Sequence, residues 1–430
     1  MTITRTLAEF AHAPVVGACT AREFCELSLF DWAICGVAGW QHSGFQNWAA
    51  VQSGPGDQPT FSGQAHDPAT AALINGTIAH ALDFDDTHFG HIGHPSVAVW
   101  SAVHAVAKTQ TWSERVDAAL VGMEASVRVG QWFGRGHYEI GYHQTATAGA
   151  FGATLAVARL LGLTLDRTIA AIGLCATMAS GLKSQFGTMG KPLNAGLAAR
   201  TGVEAAMWAK AGMMSCDDGL AGALGFGPTH HGQADTSALL ELGSSWRFET
   251  INYKFHACCH GLHAMLEALS TLDVAQDFDR LEIETHPRWM SVCNIETPRT
   301  GLECKFSYRQ TAAMAINGED TGAISSYTDE CAAQFADIRG RIDVTENSDL
   351  TEMQATVRVT RSGDVTTARH DLSAAIPAST IKSKLDHKAT ALVGRSFAEE
   401  LRVACDAQDI TLFETLIATE KRGQQGPPDH

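Results

Sequence analysis

Asp83, Asp85, Asp86, Thr87, His88, His91 and His94 crowd into the twelve positions from 83 to 94. Carboxylates and imidazoles at that density do one of two things. They ligate a metal ion, or they hold and protonate a charged small molecule. His88, His91 and His94 recur every third residue beside Asp83 and Asp86, and histidine with carboxylate is ordinary zinc or iron chemistry. The spacing is not HExxH, however, and Gly90 and Gly93 interrupt any single helix that would present all three rings. The competing reading uses the same groups as acid, base and hydrogen-bond partners, with cations supplied from elsewhere in the chain.

Three further clusters supply them. His143 lies in Gly141-Tyr-His-Gln-Thr145, Lys191 in the turn Gly187-Thr-Met-Gly-Lys-Pro-Leu-Asn194, and Lys254 opens the run to His263. Each precedes a helical pattern, as His94 does before Pro95, and free N–H groups at a helix start favour anions. Together they point to one site lined by helix N-termini, able to hold carboxylates and to stabilise an enolate formed next to one. Singly, each has a plainer reading. A histidine at a helix start is more often a cap, Lys191 before a proline can be a solvated cation, and Asp83 and Asp86 can cap turns. Cys258-Cys259 reads as packing rather than redox chemistry, and Gly219 to Gly227 matches no phosphate-binding loop.

The elements that must position these groups fall into two textures. From about residue 20 to 245 the chain reads as successive helices: Ser96 to Lys108, Gln144 to Leu161 with a stop at Gly162, Arg167 to Ser180, and Asn194 to Lys210 closed by Gly212. Small residues at helical spacing mark close helix–helix packing. Near residue 247 the period changes. Arg280–Thr285 and Ala355–Arg361 alternate as strands, Ser362-Gly-Asp364 reads as a hairpin turn, and Tyr308–Ile316 and Thr328–Ala336 read as helices. The pattern after about 380 is helical again, and the Arg422–His430 tail reads as disordered. The expected fold is mainly α with an α+β second domain. A helical domain is expected over 1–247, completed by 385–430, with the α+β domain over 248–384.

Composition narrows the partners. A net charge of −16 opposes nucleic acid and anionic membranes, while leaving room for a local basic pocket. No apolar run is long enough to span a bilayer, and the opening Met1-Thr-Ile-Thr-Arg5 lacks the pattern of a secretory leader. Eleven irregularly spaced cysteines without a CxxC pair suit reduced, buried thiols, so a cytoplasmic location is expected.

Four blocks in order, NGTIAHALDFDDTH…GHPS, GYHQTATAGAFGATLAVARLLGL, GTMGKPLNAGLAARTGVEAA and KFHACCHGLHAMLEAL, resemble the MmgE/PrpD family over roughly residues 10 to 400. That family includes 2-methylcitrate dehydratase, cis-aconitate decarboxylase and iminodisuccinate epimerase. The resemblance implies a helical domain with an inserted α+β lid, a homodimer, and catalysis without metal or organic cofactor. It carries Asp83, His94, His143 and Lys191 over as catalytic positions and Thr87 and Lys254 as substrate-binding ones, and Gln310 and His263 are further substrate-binding candidates. His88 and His91 stand in a slightly longer loop and match no family role. In Glu303-Cys-Lys-Phe-Ser-Tyr-Arg-Gln310 the family's tyrosine position falls on Gln310, with Tyr308 two residues earlier and turned away by roughly 200° on a helix. The implied activity is a lyase acting on a small di- or tricarboxylate through a carbanion next to a carboxylate. An amide at position 310, able to bond an imine nitrogen, points instead toward an epimerase. A non-catalytic metal- or ligand-binding homologue is the alternative from another class.

Overall fold

The structure is a computed structural model that describes residues 2–274 and 276–418. The chain divides into two compact units, residues 1–253 with 393–430, and Lys254–Leu392. The first is built of helices, and the second combines short helices with a four-stranded sheet. The chain is therefore mainly α with an α+β second unit. The Arg422–His430 tail lies outside the described residues.

Local chemistry fixes where the helices of the first unit begin and end. Asp67 caps Pro68–Ala79 by accepting from the N–H groups of Ala69 and Thr70, and Pro68 supplies a preset first turn. Thr111 and Glu114 form a reciprocal capping box that opens Trp112–Glu139. Gly212, left-handed at φ 110°, closes Gly190–Ala211. Pro95–Val106 and Gln144–Leu160 complete the set around the site, and both are buried along almost their whole length. Their small residues let backbones touch: a Cβ on Gly76 would lie 2.8 Å from Gly196 Cα, where Pro68–Ala79 meets Gly190–Ala211. After the excursion into the second unit, Arg395–Asp406 and Ile410–Ile417 return to pack on Cys19–His42. Arg115 ties that return down by pairing with Glu414 at 2.6 Å.

The second unit's sheet runs in the order Ile342–Glu346, Arg280–Thr285, Gln354–Arg361, Asp364–Asp371. Its last pair is a hairpin whose turn residues Ser362 and Gly363 both have positive φ, the geometry that matches strand twist. Leu281, Ile283, Val357 and Val359 form the buried face. The strand Ile342–Glu346, parallel to Arg280–Thr285, has no counterpart in the sequence pattern. The expected helix Thr328–Ala336 is shorter, Asp329–Ala333, because Phe335 turns left-handed at φ 64° and starts a separate turn, Ala336–Arg339. Among the described residues no helix is long and apolar enough to cross a membrane. Cys19 and Cys216 are exposed, Cys259 is half-buried, the other cysteines are buried, and none is bridged.

Candidate active site

Three helix starts and one loop bring the first unit's polar groups together. His94 and His143 each occupy the cap position of an apolar helix, Pro95–Val106 and Gln144–Leu160, and Lys191 lies in the first turn of Gly190–Ala211. The loop between Pro68–Ala79 and Pro95–Val106 carries the acids. It is held by a pair of backbone bonds between Thr87 and Asn252 (2.7 and 2.8 Å) and by His88 N–H donating to Gly93 O at 2.8 Å. Asp83 sits left-handed at φ 50°, a conformation that Asp tolerates better than most residues.

Asp85 is the hub. Fully buried, it accepts from His80 Nδ1 at 2.9 and 3.1 Å, and its Oδ2 lies 3.1 Å from His94 Nδ1, off the line of an ideal hydrogen bond. The other nitrogen of His94, Nε2, is 3.3 Å from Asp83 Oδ1, and Lys191 Nζ meets that same oxygen at 2.5 Å. Asp83 is the solvent-facing end of this chain of contacts, with its side chain 43% exposed. The His80 ring meets His94 edge-on at 4.5 Å and stacks with His143 at 6.0 Å.

His143 is set by its surroundings as firmly. Its N–H donates to Gly181 O at 3.0 Å, and Asn194 Nδ2 lies 3.3 Å from its Nδ1, an amide donor that makes this nitrogen the acceptor. The neighbouring Gln144 donates to the carbonyls of Gly130 and Gly134, which the break at Gly134 in Trp112–Glu139 leaves available. Phe186 covers the ring edge-on at 4.9 Å and also lies under the Lys191 ammonium at 5.3 Å.

The two cap histidines differ in charge. For His94, burial opposes protonation, but the carboxylates of Asp85 and Asp83 outweigh it and raise the imidazole to about 9. They also outweigh the helix start, whose positive end disfavours a cation. For His143 the pull of Asp83 is the smaller influence. Burial, then His80 and Lys191, hold it well below its ordinary value, and it stays neutral. Burial would raise Asp85, but His80 and His94 keep it ionised. Behind the site, burial and then the nearby Asp31 push Asp86 up to about 7, with Ser96 Oγ donating to it at 2.7 Å.

The three-histidine metal arrangement does not form. His88 is engaged by Arg247 O at 3.0 Å and Thr250 Oγ1 at 2.8 Å, and His91 is buried with its ring against Gly130. A different set converges: ligand atoms of His80, Asp83, Asp85 and His94 all lie within 4.8 Å of one another. Within that set Asp83 already pairs with the Lys191 amine and Asp85 with the two imidazoles, so each carboxylate has a protein partner.

The remaining expected residues serve other partners. Thr87 is fastened through its backbone to Asn252. Lys254 and His263 are buried in the second unit, where the His263 ring packs against His256 and His260. Gln310 is fully buried with its amide engaged inside that unit: Nε2 donates to Cys331 O at 2.7 Å, and Oε1 accepts from Arg339. The Tyr308 hydroxyl donates to Gly261 O at 2.7 Å beside Thr285, so neither side chain near position 310 presents a free group. His80 and Asp85 are the functional-looking residues that the sequence pattern did not single out as a pair. Their signal is a histidine just past an apolar helix with a carboxylate five residues on.

The helical unit, its capped histidines and the DFDDT loop match a known family. Residues 5–238 fit the MmgE/PrpD N-terminal domain, and the chain belongs to the MmgE/PrpD family. Among curated relatives, a cis-aconitate decarboxylase of Aspergillus terreus is 33% identical over 227 residues, 49% of this chain and 46% of that protein. The cis-aconitate decarboxylase-like protein oryM of Aspergillus oryzae is 31% identical over 227 residues, 48% of this chain and 46% of its own. A human cis-aconitate decarboxylase is 31% identical over 168 residues, 37% and 34% of the two chains. The matched region thus spans about half the length of these relatives, or less.

Proposed function

We propose that the protein is a lyase that needs no cofactor, acts on a small di- or tricarboxylate, and works through a carbanion next to a carboxylate. Decarboxylation of a cis-aconitate-like substrate is the favoured form. The observation that carries this reading is the placement of His94 between the carboxylates of Asp85 and Asp83, which favours its imidazolium form, with Lys191 paired to the same Asp83 oxygen. Loss of carbon dioxide breaks a C–C bond and leaves its electron pair on the substrate, spread into the neighbouring unsaturated carboxylate. The chemistry then needs a proton delivered to carbon, and an imidazolium is the donor that a neutral-pH enzyme has to hand. The N–H bond of His94 breaks, a C–H bond forms, and solvent returns the proton to the ring. Lys191 would hold a substrate carboxylate and offset the carbanion charge, and Lys254 remains assigned to carboxylate binding. Thr87 and His263 remain assigned to substrate contacts. Neutral His143 is competent as a base, which a dehydration would use.

The relatives named as cis-aconitate decarboxylases support carbon dioxide as the leaving group. Gln310 was the residue that argued for an epimerase, through a bond to an imine nitrogen. Its amide is engaged by Cys331 and Arg339, while the absence of a tyrosine at that position keeps the epimerase as the alternative reading. Small anionic carboxylates are the expected partners, a cytoplasmic compartment suits the unbridged cysteines, and a homodimer is the expected assembly.

Proton NMR in D₂O of the purified protein with cis-aconitate, methylcitrate and iminodisuccinate, with and without EDTA, tests this. An unsaturated dicarboxylate formed from cis-aconitate with loss of one carbon, unaffected by EDTA, is the expected result. Deuterium exchange at an alpha carbon without elimination would make the protein an epimerase. Activity abolished by EDTA would restore the metal reading.

A further inference from the structure

His80 and Asp85 are buried, titratable and unused by the reaction as drawn. We propose that they are positioning residues for His94: His80 fixes Asp85, and Asp85 pairs with ring Nδ1 of His94, turning Nε2 toward Asp83. The inference rests on the reading of His94 as the proton donor.

The argument starts from what each atom can do. An ionised carboxylate only accepts, so the His80 Nδ1 that lies 2.9 and 3.1 Å from its two oxygens must carry the hydrogen. That sets the His80 tautomer and leaves Nε2 as the bare nitrogen, buried and without a hydrogen-bond partner among the described residues. Asp85 then has two imidazoles on one carboxylate, and one negative charge balances one cation. Which ring is charged follows from the second neighbours. His94 has Asp83 at its other nitrogen, 3.3 Å away, whereas His80 faces only rings and is fully enclosed. The charge settles on His94, and His80 remains a neutral anchor.

His80 does mechanical work in that arrangement. A single imidazole–carboxylate contact leaves the carboxylate free to rotate, and the His94–Asp85 contact is off the ideal line. A second donor spanning both Asp85 oxygens locks the carboxylate plane. The edge-on contact between the His80 and His94 rings, at 4.5 Å, restrains the tilt of the donor ring as well. The logic is that of a catalytic triad, with a buried acid orienting an imidazole, extended by one ring behind the acid.

The test uses the whole protein and two independent readouts. The His94 titration is followed by NMR of the imidazole nitrogens and carbon-bound protons in the wild type, D85N, H80A and H80N. Asparagine places its amide N–H where His80 Nδ1–H stands, so H80N retains the contact that H80A deletes. Expected in D85N is a His94 midpoint displaced downward by two or more pH units, with kcat reduced by about 10²- to 10⁴-fold and KM changed far less. H80A should move the midpoint in the same direction by less, and H80N should return it toward the wild type. An unmoved His94 midpoint in folded D85N, or equal behaviour of H80A and H80N, would overturn the proposal. Should D85N fail to fold, the H80A–H80N contrast still decides it. The titration stands even if no substrate turns over, so failure of the lyase reading and failure of the positioning role are told apart.

Discussion

Two neighbouring aspartates, Asp85 and Asp86, show how far position governs residue chemistry. Asp85 faces two imidazoles and stays ionised, whereas Asp86 faces Asp31 and is pushed up to about 7. The sign for stability follows. A carboxyl whose folded value lies above its unfolded value of about 3.9 binds its proton more tightly when folded, so its contribution is present below about pH 4 and is lost as pH rises through 7. Above pH 7 the native state carries a buried carboxylate whose charge the Ser96 and Ser28 hydroxyls do not offset. Asp86→Asn keeps the shape and the acceptor for Ser96. It should therefore raise Tm relative to the wild type at pH 8 and do so far less at pH 4.5, the stability gain differing by on the order of a few kcal/mol between the two. Thermal melts at both pH values check this, and a pH-independent difference would refute it. A second expectation concerns Lys191, whose removal takes the ammonium from Asp83 and leaves a substrate carboxylate without its cation. Lys191→Ala should lower kcat/KM by about 10²-fold or more while far-UV CD is unchanged, and near-normal turnover would remove it from the mechanism. At this scale the acidic loop, both cap histidines and the lysine were legible because their types are rare in an apolar chain. His80 was not, since a histidine ending an apolar helix reads as a cap, and only folding the loop back onto it reveals Asp85 as its partner. Gln310 illustrates the converse: sequence places a polar residue at a family site position, and only the fold shows its amide bonded to Cys331 and Arg339.

The elements behind these residues are rigid because their helices touch without side chains between them. A Cβ on Gly196 would lie 2.1 Å from Thr77 Oγ1 and 2.4 Å from Leu73 O, so the Gly190–Ala211 helix cannot accept one without sliding off Pro68–Ala79. The same helix carries Lys191 and Asn194, which set Asp83 and His143. Gly196→Ala should cost about 1–3 kcal/mol from overpacking, and the displaced helix should lower activity as well. Chemical denaturation with a parallel activity assay measures both, and unchanged stability would mean that the helices part more easily than their contact implies. Helix boundaries were readable here because caps and left-handed glycines punctuate small-residue periodicity: Gln144–Leu160 and Tyr308–Ile316 were outlined from pattern alone. Ile342–Glu346 was not, being five residues long, at the sheet edge, and paired in parallel with a strand some sixty residues away.

For the whole molecule, charge and exposed apolar surface pull in opposite directions. With a net charge of −16, two copies repel at low ionic strength. The first unit nonetheless exposes Leu197, Met207 and Trp208 on Gly190–Ala211, with Met213 and Met214 directly after it. Leu197 and Trp208 are eleven residues apart, close to three full turns, and so share a helix face. Exposed apolar residues gathered on one face are the mark of an association surface, and the occupant proposed for this one is a second copy of the chain. The assembly bears on the chemistry, because this same helix bears Lys191 and Asn194. Light scattering at micromolar concentration should give about twice the 45.9 kDa chain mass, with the dimer tightening as salt screens the repulsion. Trp208→Glu should shift the population to monomer, since it both removes apolar area and places two further charges against each other across a two-fold contact. A wild-type protein that stays monomeric at physiological salt would reject the assembly. A Trp208→Glu protein that remains dimeric would place the interface on another face.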